Sequence, residues 1–234
     1  MKWQPAPIVG GAYADNARPW SHQDTVNWLP VRTERPGGRS DWKLTPAPGL
    51  KAFSTLTNAS TDSSDRIRGV RNVEGRLYVV CGQSLFRING NGTATTIQEN
   101  AIPGTQRVSM THNQETGGNT LVITNGHGGW TYNTGTATFA EITDEGFPGF
   151  KVCDFLDQYI VGIDPTGRFA FHSELANAGS YNTLDRYEAE AAPDRLVGQV
   201  VDHGQWWLFG ERTTEIYTNT GAATGTFQRI PGST

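Results

Sequence analysis

The chain has 234 residues, including 28 Gly and 12 Pro, with only 18% charged. That length buries a sizeable core, and a composition of turn formers and strand formers argues against a helical fold. The net charge of −4, with 19 basic residues scattered among 23 acidic ones, provides no basic patch for gripping phosphates, so tight DNA binding is disfavoured while close passage of DNA is not.

Residues 1–66 are polar and Pro-rich, as in "ADNARPWSHQDTVNWLPVRTERPGGRSDWKLTPAPGLKAFSTL". They read as an extended arm that lies on another molecule, with a short strand at "VNWLPV". Trp28, Arg32, Arg35, Arg39 and Lys43 are its candidate assembly contacts, though a solvated loop accounts for them equally well. The segment "TNASTDSSD" then reads as a loop, polar and without apolar periodicity.

From residue 67 one pattern returns four times, near 67–106, 107–149, 150–194 and 195–234. Each unit has a first strand, a turn, an apolar second strand, a Gly-bearing turn, and a third alternating strand often followed by a fourth. The second strands "LYVVCG", "TLVITN", "YIVGID" and "WWLFGE" begin at Leu77, Thr120, Tyr159 and Trp206, at spacings of 43, 39 and 47 residues. Four short strands per 40–50 residues mark the blades of a β-propeller. Continuous apolarity in the second strands fits coverage on both faces. Alternation in the third strands, with Phe86 and Ile88, Trp130 and Tyr132, Phe169 and Phe171, predicts one apolar face and one polar face. The expected fold is therefore all-β, a propeller of about four visible blades with an extended N-terminal arm. A pair of β-sandwiches has similar strand spacing but does not explain the recurring unit.

Catalytic and ligand-binding patterns are sparse. "GQSLF" breaks the nucleophile-elbow pattern at its last position, and "NGHGGW" reads as a hairpin turn rather than an oxyanion loop. The five histidines share no ligand spacing, and Cys81 and Cys153 sit in apolar strand settings as small buried hydrophobes. No cofactor or metal is expected. "DRYEAEAAPDR" clusters carboxylates, so Glu188 and Glu190 are candidates for glycoside chemistry, weighed against a solvated loop. Nothing approaches a membrane span or an export signal, which points to a soluble protein made in a reducing compartment.

The elements "AEAAPDRLVG", "WLFGERTTEIYTNTG" and "FQRIPG", preceded in order by "NWLPV", "TPAPGLKAF", "IRGVRNVEGRLYVVCGQSLFRI" and "RVSMTHN", resemble the tail-hub or nozzle proteins of short-tailed bacteriophages. These are often labelled packaged-DNA stabilisation proteins. The resemblance covers roughly residues 26–234. It implies a propeller with tail-facing segments and no enzyme activity, located in the virion tail. It further implies a homohexameric ring beneath the portal and its adaptor that continues the DNA channel, retains the genome and gates its ejection. Implied partners are other copies of the chain, the adaptor, a distal needle or plug, and tailspikes or fibres, with DNA passing without tight binding. Family members run beyond "FQRIPGST", so the chain is expected to be an N-terminal portion whose propeller is incomplete. Two other readings stand beside this one: a propeller that binds or cleaves host-surface glycans, and a cellular scaffold for protein partners. The absence of a Trp-Asp repeat signature counts against the latter.

Overall fold

A computed structural model describes residues 27–32, 42–56, 66–114, 119–188, 194–222 and 225–233. The chain divides into two compact units, Met1–Ala52 and Phe53–Thr234. In the first, β1 (Trp28–Arg32) pairs antiparallel with β2 (Trp42–Pro46), so the expected short strand has a partner in a segment that reads as loop.

Strands are the only regular elements among the described residues of the second unit. Four antiparallel four-stranded sheets follow one another: β3 (Ile67–Val73), β4 (Arg76–Cys81), β5 (Ser84–Ile88) and β6 (Ala94–Gln98); then β7 (Ser109–His112), β8 (Thr120–Thr124), β9 (Gly129–Asn133) and β10 (Thr138–Glu141). The third holds β11 (Val152–Leu156), β12 (Tyr159–Ile163), β13 (Ala170–Glu174) and β14 (Asn177–Tyr187), and the fourth β15 (Leu196–Asp202), β16 (Gln205–Gly210), β17 (Thr214–Asn219) and β18 (Phe227–Arg229). Each is an up-and-down meander, the form of a propeller blade. The first strands pack in succession, β3 beside β7, β7 beside β11, β11 beside β15, so they line the inner edge of the blades. No closed sheet forms among the described residues.

Three apolar clusters occupy the three seams between blades. Tyr78, Val80 and Leu85 of the first blade meet Leu121, Ile123, Trp130 and Tyr132 of the second. Val122 of the second meets Ile160, Cys153, Phe171 and Tyr181 of the third, around Phe150. Val161, Ile163 and Ala170 of the third meet Trp206, Leu208 and Tyr217 of the fourth. Consecutive residues of a strand point to opposite faces, so Leu121 and Val122, or Ile160 and Val161, serve different seams. This is why the second strands are apolar without interruption. At ~25 cal/mol per Å² of apolar surface removed from water, such seams are the main stabilising term of the fold.

The third strands depart from the expected one-sided pattern. Ser84, Leu85, Phe86 and Ile88 of β5 are all buried, as are Ala170, Phe171, His172 and Ser173 of β13. Coverage of both faces in these blades removes the polar face that alternation predicts. In β9 the alternation persists, with Trp130 and Tyr132 buried and Thr131 and Asn133 less so.

Two glycines are required by close approach. The Gly92 turn has φ +85, and a Cβ there would collide with the Phe53 carbonyl oxygen. Gly162 of β12 makes room for the Phe150 ring at the second seam.

Candidate functional site

The site is built on the inner strands, and polar side chains tie each to the next. In β3, Arg71 Nε donates to His112 Nδ1 of β7 at 3.1 Å. That bond requires an unprotonated Nδ1, and burial followed by the Arg71 charge holds the His112 pKa below the ordinary value, with Glu74 opposing. The Cys153 amide of β11 donates to Ser109 Oγ of β7 at 3.0 Å, and the Val201 amide of β15 donates to Asp154 Oδ2 of β11 at 3.3 Å. Side chains thus occupy amides at the inner edge that have no strand partner on that side. Gln199 bridges the last seam, accepting from Trp206 Nε1 at 3.1 Å and donating to the Val161 carbonyl at 3.1 Å.

Arg68, also on β3, is 5% exposed and donates to four backbone carbonyls: Gln106 at 2.7 Å, Gly82 at 2.8 Å, Ile102 at 2.7 Å and Pro103 at 3.0 Å. Burial lowers its pKa from the ordinary arginine value. It staples the first blade to the segment leading into the second. Hydrophobic periodicity does not single out Arg68, Ser109 or Asp154, because their partners lie 14 to 47 residues away.

The candidate assembly residues of the arm fall on the first unit. Trp28 and Arg32 begin and end β1, and Lys43 of β2 stands opposite Val31, on the face that does not carry Trp28. Trp28 is 47% exposed, Leu29 50% and Val31 40%, so the hairpin presents apolar side chains on both faces. Arg35 and Arg39 lie outside the described residues.

Of the carboxylate pair, Glu188 is exposed and meets Arg168 at 3.5 Å, while Glu190 lies outside the described residues. "NGHGGW" is a hairpin turn in which Asn125 Oδ1 accepts from the His127 and Gly128 amides, each at 2.9 Å. Cys81 and Cys153 are buried and form no disulfide, and burial pushes the Cys153 thiol up to about 11, which disfavours the reactive thiolate. No group of three or more His, Cys, Asp or Glu among the described residues could hold a metal ion, and no helix among them is long and apolar enough to cross a membrane.

The first residues of each blade carry a charge pattern that hydrophobic spacing does not reveal. A basic residue stands directly before β3, β11 and β15 (Arg66, Lys151, Arg195) and two residues before β7 (Arg107). The signal in the sequence is the recurrence of a cation followed by Ile, Val or Leu.

Solved structures of similar fold are propellers of low sequence identity. The chain is similar to a virginiamycin B lyase from Staphylococcus aureus at 11% identity and TM-score 0.53, over 90% of this chain and 79% of that one. It is similar to YCF48 bound to D1 peptide at 13% and 0.51, over 84% and 60% of the two chains, and to a streptogramin B lyase at 12% and 0.50, over 87% and 61%. The chain thus spans about three fifths of the latter two, and at these identities the likeness concerns the fold alone. No curated protein matches it by sequence. The phage-stabilisation family described as bacteriophage P22 Gp10, β-propeller, matches residues 4–234, reaching further toward the N-terminus than the elements from residue 26 onward. With its blades in place and that match spanning nearly every residue, the chain belongs to the phage-stabilisation family of bacteriophage P22 Gp10.

Proposed function

We propose that the chain is a structural subunit of a short phage tail. It forms a ring, a homohexamer in this reading, that continues the DNA channel below the portal and adaptor, retains the packaged genome and gates its ejection. The observation that carries this is the family match over residues 4–234 together with the propeller fold. The family is one of structural phage proteins, which supports a virion location and a non-enzymatic role.

Two physical features support the finer reading. A conduit must not hold DNA tightly, because each retained phosphate contact slows passage, and a chain of net charge −4 meets that need. The β1–β2 hairpin, with Trp28, Leu29 and Val31 each at least two fifths exposed, is suited to docking on the adaptor or a neighbouring subunit. A needle or plug at the distal end, and tailspikes or fibres at the side, complete the proposed partners.

The test is deletion of residues 1–45 in the phage. Loss of tail assembly, with particles that leak their DNA, is the expected result. Genome-retaining particles of normal infectivity would contradict the docking role.

A further inference from the structure

The four innermost strands run in the same direction. The backbone amide of Val108 donates to the Arg68 carbonyl, and further along Arg71 meets His112, so β3 and β7 advance together. Ser109 at the start of β7 meets Cys153 near the start of β11. Lys151 Nζ donates to the Leu196 carbonyl at 2.6 Å and Asp154 meets Val201, so β11 and β15 advance together. The residues that begin these strands therefore share one mouth of the propeller, and the turns that end them share the other.

The residues that begin the inner strands are basic, and the turns that end them carry carboxylates. Arg66, Arg107 and Arg195 at the first mouth are exposed, and none has an ion pair among the described residues. Lys151 is half-buried beside them, its pKa lowered by burial against the opposing charge of Asp164. Two of the carboxylates at this mouth are committed to turns, while Glu211, whose amide donates to the Arg195 carbonyl at 3.0 Å, is exposed beside Arg212. Asp194 accepts from the amides of Glu211, Arg212 and Thr213 and from the Thr213 hydroxyl, at 2.8–3.0 Å. Asp164 accepts from Thr166 Oγ1 at 2.5 Å and the Phe169 amide at 3.1 Å. At the other mouth, the turns after β3, β11 and β15 expose Glu74, Asp157 and Asp202. Arg76 and His203 are the nearby basic groups, His203 held to Asp202 at 2.7 Å.

We propose that these mouths are the two halves of one interface: the cationic mouth of one copy receives the acidic turns of a second copy, head to tail. The charge complementarity recurs in three of the four blades among the described residues, which fixes orientation as well as attraction. The proposal rests on the ring reading for its setting, since a heterologous head-to-tail contact closes into a ring when the rotation permits.

Three proteins test it by analytical ultracentrifugation and negative-stain microscopy: the wild-type chain, a basic-mouth variant (Arg66→Glu, Arg107→Glu, Arg195→Glu) and an acidic-mouth variant (Glu74→Lys, Asp157→Lys, Asp202→Lys). Circular dichroism confirms that each folds. Wild-type self-association is expected to weaken roughly tenfold or more between about 50 and 500 mM salt, and each variant alone to associate at least about tenfold more weakly than wild type. Mixing the two variants restores association, because each then offers the charge that the other lacks. Rings that persist in both variants would overturn the interface and leave the ring reading standing. Salt-sensitive head-to-tail chains that never close would support the interface and contradict the ring. A wild-type chain that stays monomeric at every salt concentration would overturn the second copy as occupant. If polyphosphate then raised the Tm of the wild type but not of the basic-mouth variant, the cationic mouth would be assigned to a free polyanion instead.

Discussion

Trp206 and Trp207 are consecutive residues of β16 with different fates. Trp206 is fully buried at the third seam, its ring centroid 5.4 Å from Phe227 and 5.7 Å from Tyr187, its Nε1 donating to Gln199. Trp207 lies on the opposite face of the fourth blade beside its cross-strand partners Val200 and Ile216, only partly covered, and its Nε1 has no partner among the described groups. The residue type is the same, the strand is the same, and the pleat alone separates them. A neighbouring blade decides which tryptophan becomes core. Stability in this fold is therefore held in the seams rather than in the individual sheets.

The largest loss is expected at the seam. Trp206→Ala removes the centre of an aromatic cluster and is expected to cost about 3–5 kcal/mol, read by urea unfolding. Trp207→Ala is expected to cost less than half of that, so a pair of equal losses would show that the two faces are equally packed. Arg68→Ala leaves four carbonyls without their donor in a buried segment and is expected to cost about 2–4 kcal/mol. Arg68→Lys is expected to recover little of this, since an ammonium has three donors and no planar fork.

A smaller effect sharpens the contrast between seam and inner edge. Neutral His112 accepts from Arg71, and its folded pKa lies below the unfolded value near 6.5. The unfolded chain therefore binds the proton more readily. This contribution is fully present above about pH 6.5 and is lost as pH falls from there through the folded pKa. His112→Gln is expected to flatten that part of the stability profile, and an unchanged acid slope would show that the contact carries no linkage. His203 gives the opposite sign with a smaller effect. Its exposed pair with Asp202 raises its pKa, so its contribution is present below the unfolded value and fades as pH rises through the folded one. Salt is expected to weaken it further, checked by titrating the His203 ring by NMR at low and high ionic strength.

Much of this architecture is legible in the sequence for a physical reason. Second strands such as "LYVVCG" and "TLVITN" are covered on both faces, and that demand leaves an unbroken apolar run at blade spacing. Turn chemistry is equally local, as in the Asn89–Gly92 hairpin, where the Gly92 amide returns to the Asn89 carbonyl at 2.9 Å. What was not legible depends on distant partners. The doubly covered third strands, the pairing of β1 with β2, and the side chains that reach the next inner strand depend on residues far along the chain. Of the arm residues, Trp28 is exposed and Lys43 stands on the other face of the β1–β2 pair, which strand parity reveals only once both strands are known. The cations at the blade starts are present in the sequence, yet their significance depends on four strands running the same way.

The most direct test of the central claim is electron microscopy of the chain, alone and mixed with the portal and adaptor proteins encoded beside it. Rings docked below the adaptor, with the bore continuous with the portal channel, are the expected result. Discrete particles that ignore the adaptor would contradict the account.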